Sequence, residues 1–448
     1  MSIGKKYNYP PKLSILRFFV DAEGVRRNPI PYHERYFERF GDSFSIRIGK
    51  SRHIILSRDN EVAQYILQKN QRNYYKSKFQ SVYLSKYLGK GLLTVDGEFW
   101  LKQRRLIQPA FHKQKMNQLV DNMKLTIVSE LKEIVTDKKV DLFPIMSEVA
   151  FNVVAKSLFQ FSIEEEKLNR IKYIIEAVQN FLIKEIRLPH KAWWFSISGQ
   201  VKKHLQLAEE NDEIIRGIID ERVASQNEVN DLLNMLLETR YEDTGEGMSV
   251  EQLIDEIKIL FIAGHETTAN ALTFTLQLLG SHLDVQQKVF EEILKVESES
   301  EDVVEQLQKM TYINAVLNES MRLYPPAWIT DRQNVDDDVL GKFTIKKDTL
   351  IGVSFYELHR NPKYWENPDQ FDPNRFLGEQ KKHSMQYFYP FGAGPRMCIG
   401  AGFAMYEMCL TIFYIIKKYK VVSVQNTVNF NPLITLKPVG VEVVFSER

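Results

Sequence analysis

The sequence predicts a mainly α protein with small β-sheets, and three observations carry that expectation. Residues 100–240 and 250–325 place apolar side chains at 3.6-residue spacing between charged faces, the pattern of amphipathic helices. Short alternating or β-branched stretches are confined to the neighbourhoods of 31–60, 337–356, 433–436 and 441–444. No repeat, low-complexity run or Gly/Ser/Pro linker divides the chain. One large domain over 31–448, behind a 1–30 lead-in segment, is therefore expected, although 448 residues at roughly 100–200 per domain would allow more.

In order, 31–60 reads as a short helix and then a β-hairpin, punctuated by Gly41 and Gly49. Helices follow through residue 325. The stretch 257–279 is nearly apolar but carries His265 and Glu266 at its centre, which a membrane interior would penalise, so it reads as a buried helix. Near 337–356 short strands return with Gly-Lys and Lys-Asp turns, and Pro362, Pro368 and Pro373 mark a loop. A helix follows Gly400, and strands close the chain.

Lys plus Arg number 59 and Asp plus Glu 58, so the chain lacks the net positive field of a nucleic-acid binder. Two cysteines, Cys398 and Cys409, cannot build a disulfide framework or a four-thiolate zinc site. The apolar stretch 13–20 is broken by Ser14 and Arg17, too short and too polar for a spanning helix or a signal-peptide core. A cytoplasmic protein without a membrane anchor is the expectation.

The chemistry concentrates at Cys398. Cys409 lies in an apolar helix, where a cysteine behaves as a small hydrophobe. Cys398 instead follows a Gly/Pro-rich loop, Phe391-Gly392-Ala393-Gly394-Pro395-Arg396-Met397, and precedes a helix. Loop N–H groups and the positive helix end favour a thiolate there, and Arg396 adds a cation for an anionic group. The glycines do not form a dinucleotide loop, because Met397 and Met405 stand where the third Gly would be needed. A glycine-hugged thiolate beside an arginine suits one face of an iron porphyrin.

The run Phe391-x-x-Gly394-x-Arg396-x-Cys398-x-Gly400 resembles the heme-ligand loop of cytochrome P450s at every position. The resemblance spans about residue 30 to the end and implies the single-domain cytochrome P450 fold, with Cys398 as axial ligand of heme b (iron protoporphyrin IX). Glu319-x-x-Arg322, followed by Leu-Tyr-Pro-Pro and later by Pro373-Asn374-Arg375-Phe376, resembles the family's structural Glu–Arg pair with its loop arginine, Arg375. The spacing alone says little, since Glu23/Arg26, Glu213/Arg216 and Glu357/Arg360 share it. Ala263-Gly264-His265-Glu266-Thr267-Thr268 resembles the oxygen-activation motif. The resemblance implies that Gly264 opens the helix, Thr267 hydrogen-bonds dioxygen and Glu266 relays protons, with no role for His265. Trp100, Arg104 and Arg332 match positions that contact the heme propionates, beside Phe391 and Arg396.

These parts imply a monooxygenase that activates O2 with two electrons from a separate protein and hydroxylates an unactivated C–H bond. An acidic ferredoxin or flavodoxin, with its reductase, would dock on a basic patch including Lys102, Arg105, Lys113, Lys115, Lys381 and Lys382. By family position, Tyr74, Phe79, Tyr83, Leu260, Ala263, Ala327, Trp328 and Ile434 would face the substrate, with the segment around Trp193-Trp194-Phe195. A substrate of lipid, fatty-acid or isoprenoid type is ranked ahead of O-demethylation of a methoxy sugar or other methyl ether. A peroxide-driven peroxygenase, disfavoured by Glu266-Thr267, and a non-catalytic heme-binding protein are the rivals from other classes.

Overall fold

The computed structural model describes residues 7–48, 52–159, 163–225, 229–425 and 427–448. Its contacts divide the chain into two compact units, each woven from separate stretches: Met1–Ser77, Ala315–Cys398 and Phe430–Lys437 form the first; Lys78–Asn314, Ile399–Asn429 and Pro438–Arg448 the second.

The first unit is built on a five-stranded sheet in the order Ser43–Ile48, Arg52–Ser57, Leu350–Ser354, Ile329–Asn334, Tyr74–Tyr75. Arg52–Ser57 and Leu350–Ser354 pair in parallel, and the other neighbours are antiparallel. Ile55, Ile351 and Val353 are fully buried here and pack with Ile66, Leu67, Tyr74, Phe355 and Tyr389. The predicted helix is Ile30–Phe40, closed at Gly41, and the hairpin follows it. The Gly49 turn lies outside the described residues. The lead-in joins this unit: Asn8 pairs with Thr344, the Leu13 N–H donates to the Ser45 carbonyl at 2.8 Å, and Ile15–Arg27 is helical. One strand expectation is displaced. Phe430–Pro432 and Leu436–Pro438 pair, so 433–435 is the turn of a small ribbon rather than a strand.

The second unit is helical. Its axis is Val250–Ser281, whose N-cap Ser249 accepts from the Gln252 N–H at 3.2 Å. Leu142–Phe159 packs along it, and Ala401–Lys418, Leu283–Glu299 and Val120–Glu130 complete the core. Leu142–Phe159 is long and apolar enough to cross a membrane by length and composition, and 61% of its apolar window is buried within the protein. A three-stranded sheet, Lys139–Asp141, Glu442–Glu447 and Tyr419–Ser423, flanks the helices. Lys258, buried on the central helix, bridges Asp212 and Asp255 at 2.7 and 2.9 Å, while Asp255 and Glu256 accept the N–H groups of Lys90 and Leu92. Two segments, the helix Gln200–Ser225 and the 90–92 stretch, are thereby pinned to one turn of the central helix. On Ala401–Lys418, Glu407 is fully buried and neither carboxyl oxygen has a hydrogen-bond partner, so burial pushes its pKa well up.

Candidate functional site

The loop before Cys398 is held by its backbone. Gly394 has φ +71°, a left-handed conformation, and a Cβ there would stand 2.0 Å from the Leu67 carbonyl oxygen. The Cys398 N–H donates to the Phe391 carbonyl at 2.9 Å, and the Met397 N–H to the Gly394 carbonyl at 3.0 Å. The Tyr389 N–H donates to His359 Nε2 at 2.9 Å, and the Tyr389 hydroxyl to Asn60 Oδ1 at 2.6 Å. His359 is wholly buried; desolvation, with the nearby Arg322, pushes its pKa well below 6.5 and keeps it the neutral acceptor this bond needs.

The result is an exposed Cys398 on a fixed loop, while Cys409 is buried with its thiol pushed up in pKa by desolvation. Such a thiol fits the sulfur ligand of a prosthetic group that approaches from outside the loop. Among the described residues no cluster of three His, Cys, Asp or Glu side chains could hold a metal ion, so iron reaching Cys398 must bring its remaining ligands with it. A porphyrin does so.

Arg396 Nη1 donates to Gln71 Oε1 at 2.8 Å and to the Gln71 carbonyl at 3.1 Å, and Phe391 is half-buried. Arg332 is buried on its strand, with Nη1 donating to Thr330 Oγ1 and the Asp331 carbonyl. Glu319 and Arg322 form a fully buried bidentate pair, Nε–Oε2 2.7 Å and Nη2–Oε1 2.8 Å. Arg375 Nε lies 3.4 Å from Glu319 Oε1. Arg322 also donates to the carbonyls of His359, Pro368 and Gln370 and lies over the Trp365 ring. The arginine therefore ties the 359–372 loop to its helix. Burial raises the Glu319 pKa while Arg322 opposes it.

In the second unit the central helix runs unbroken through Gly264. Gly264 admits Val154, whose Cγ2 would stand 3.1 Å from an added Cβ. Ala263 is exposed, and Gly264, Glu266 and Thr267 are partly so, whereas 268–280 are buried. The Thr267 hydroxyl donates back to the Ala263 carbonyl at 2.7 Å. His265, given no role from sequence, is buried with Nε2 2.9 Å from Ser147 Oγ and its ring edge-on to Phe151. It fastens the helix to Leu142–Phe159. Trp100 is buried and Arg104 half-buried on Gly97–Ile107, a helix capped by Asp96, whose side chain accepts the Gly97 N–H.

The substrate-facing expectations divide. Tyr74 has no exposed surface: it sits in the first unit's core with its hydroxyl donating to Asp338 Oδ2 at 2.7 Å, which removes it from any lining. Trp328 is buried with Nε1 donating to the Leu433 carbonyl at 3.1 Å, leaving Ala327 and Ile434 as the accessible pair of that region. Phe79, Tyr83, Leu260 and Ala263 keep accessible surface in the second unit. Trp193 and Trp194 are exposed on the short helix Ala192–Ile197. Lys102, expected in a basic patch, is paired with Asp243 at 2.7 Å; Arg105, Lys113 and Lys115 are exposed, as are Lys381 and Lys382 in the first unit. His359, Gln71 and Ser147 were missed, because nothing local marks a residue whose partner lies 30, 325 or 118 positions away.

Comparison with known proteins agrees with this geometry. The family model for cytochrome P450 matches residues 9–445. Cyclooctat-9-en-7-ol 5-monooxygenase of Streptomyces melanosporofaciens is 29% identical over 389 residues, covering 86% of this chain and 84% of that protein. Cytochrome P450 72A13 of Arabidopsis thaliana is 32% identical over 358 residues, 75% of this chain and 68% of that protein. Protein LUTEIN DEFICIENT 5, chloroplastic, of Arabidopsis thaliana is 28% identical over 87% of this chain and 69% of its own length. In fold, the crystal structure of the cytochrome P450DA heme domain superposes with a TM-score of 0.84, at 23% identity, over 99% of this chain and 98% of that one. The thiol loop, the buried Glu–Arg pair and the near-complete family match give one conclusion: this chain belongs to the cytochrome P450 family, and is a monooxygenase that uses heme, O2 and electrons delivered by redox partner proteins.

Proposed function

We propose that this monooxygenase hydroxylates an unactivated C–H bond of an apolar small molecule of lipid, fatty-acid or isoprenoid type, using heme b ligated by Cys398 and electrons from a separate ferredoxin or flavodoxin. Bound heme supplies O2 activation and the power to oxidise carbon. In this reading the Cys398 sulfur, as thiolate, would hold the heme iron, and Trp100 Nε1 and the guanidinium groups of Arg104, Arg332 and Arg396 would hold its carboxylates. Phe391, whose carbonyl accepts the Cys398 N–H, would shield the sulfur from water. The Thr267 hydroxyl turns from the Ala263 carbonyl to donate toward the reacting centre, and the Glu266 carboxyl, with partial solvent access, replaces the proton. Glu319, Arg322 and Arg375 hold the 359–375 loop and take no part in the chemistry.

The observation that carries this reading is the change in burial on Val250–Ser281, where Ala263 is exposed and Gly264, Glu266 and Thr267 keep partial surface just before the wholly buried stretch 268–280. A carboxyl and a hydroxyl with partial solvent access beside apolar neighbours can pass protons inward from water, as a relay requires. The substrate class rests on Phe79, Tyr83, Leu260, Ala263, Ala327 and Ile434, which carry no charge and would select by shape and apolar contact. The Streptomyces relative is named for oxygenating cyclooctat-9-en-7-ol, a mostly hydrocarbon alcohol by its name. Oxidation next to an ether oxygen by the same residues would remove a methyl group, so a methoxy sugar is the second substrate class.

The test is a spin-state titration of purified holoprotein with fatty acids, isoprenoids and methylated sugars, followed by turnover with a ferredoxin system, a flavodoxin system or peroxide alone. A high-spin shift and hydroxylated product with an apolar ligand and a reduced partner are expected. A response to methylated sugars alone, or turnover with peroxide alone, overturns the proposal.

A further inference from the structure

Leu142–Phe159 and the central helix Val250–Ser281 meet along two matching stripes. The first presents Ser147, Phe151 and Val154, the second Phe261, Gly264 and His265, at the three- and four-residue steps that share a helix face. Phe151 stacks on Phe261 with ring centroids 5.8 Å apart, and Val154 lies against Gly264. His265 is buried, with Nε2 2.9 Å from Ser147 Oγ and its ring edge-on to Phe151. Ala263 and Thr267, four apart, share the accessible side of the helix, where the Thr267 hydroxyl donates to the Ala263 carbonyl. At 3.6 residues per turn, position 265 is rotated by about 160° from that side. His265 therefore grips the back of the turn whose front carries Thr267.

We propose that Ser147 and His265 are a positioning pair whose hydrogen bond fixes the rotation and register of the central helix, and with them the direction in which Thr267 and Glu266 face, a role that rests on the proton delivery assigned to those two residues above. Apolar contacts are non-directional, and a seam made of them loses uniqueness before it loses stability. A hydrogen bond is directional and lapses when its atoms part by about half an ångström. A polar contact within an apolar helix seam is accordingly a device for setting register, with little or no gain in stability. This turn has particular need of it, because Gly264 leaves its backbone freer than any other residue would. Proton delivery is where the register matters: a misplacement of about 1 Å costs up to about a hundredfold in rate.

The test measures product formed per electron consumed by holoprotein, with dodecanoic acid as probe and a ferredoxin system as donor, beside the reduced-CO band and Tm. S147A/H265L leaves neither partner stranded, so it is expected to keep band and Tm yet lower coupling about fivefold or more. A glutamine amide reaches the place of imidazole Nε2 and can bond Ser147, whereas an asparagine amide reaches only that of Nδ1. H265Q should therefore keep most of the coupling and H265N should not. If S147A/H265L binds no heme, S147A against S147T carries the comparison, with coupling lost in the first and kept in the second. Full coupling in the variants that lack the bond, while T267A is uncoupled, overturns the positioning pair alone. Full coupling in T267A overturns the proton-delivery reading and this proposal with it. Equal coupling in H265Q and H265N reduces the contact to packing and likewise overturns the proposal.

Discussion

Gly394 and the Leu67 carbonyl stand so close that a single methyl group on Gly394 would lie 2.0 Å from that oxygen. The contact joins the thiol loop to a segment far away in sequence, and every atom that the methyl group would meet is backbone, with no flexible side chain to yield. Gly394→Ala adds a left-handed penalty of about 1–3 kcal/mol to the clash. The expected result is loss of the reduced-CO band of a thiolate-ligated heme together with a lowered Tm. An unchanged band would show that the loop relaxes freely.

Arg322 serves Glu319 and three carbonyls from a position without solvent. Arg322→Met should cost about 3–5 kcal/mol, because it strands the Glu319 carboxylate. Glu319→Leu combined with Arg322→Met should recover part of that loss in urea unfolding, since no charge is then left buried.

Glu407 makes the opposite case, a buried carboxyl with no partner. Its folded pKa lies well above the ordinary 4.5, so below 4.5 both folded and unfolded chains hold the proton. As pH rises past that point the unfolded chain releases its proton first, and stability falls by up to about 1.4 kcal/mol per pH unit until the folded carboxyl ionises. Glu407→Gln should flatten that slope, so its advantage over wild type in thermal melts grows from pH 5 to pH 8. Parallel profiles for the two proteins would refute this.

Thr267 donates to the Ala263 carbonyl through an oxygen on the accessible strip of its helix. Thr267→Ala should keep heme and the reduced-CO band yet lower product formed per electron consumed by roughly tenfold. Thr267→Ser should restore most of it, and unchanged coupling in the alanine variant would remove Thr267 from proton delivery.

The sequence was most informative where structure is local. Glu319 and Arg322 pair because positions three apart share a helix face, and the glycine turn, arginine and cysteine of the thiol loop lie within eight residues. Partner choice across the fold was not legible. Arg396 meets Gln71, Lys102 meets Asp243, and Tyr74 is sealed against Asp338 although its residue type suits a ligand wall. Gly264 reads locally as a helix weakener, yet the helix continues through it, with Val154 close enough that an added Cβ would stand 3.1 Å from its Cγ2. Run 433–435 looks like a strand by composition, but its neighbours on both sides pair with each other and leave it at the tip.

The interlaced segments of the first unit bear on how the protein is made. Asn60 waits for Tyr389, 329 residues later, so at about 5–20 residues per second roughly 15–65 s pass before the ribosome delivers its partner. During that interval the Arg52–Ser57 strand, with Ile54, Ile55 and Leu56, has an unpaired edge where Leu350–Ser354 will dock. Nascent chains are therefore prone to clump, and the yield of usable enzyme in a host will follow growth temperature and chaperone supply more closely than the resilience of the finished molecule.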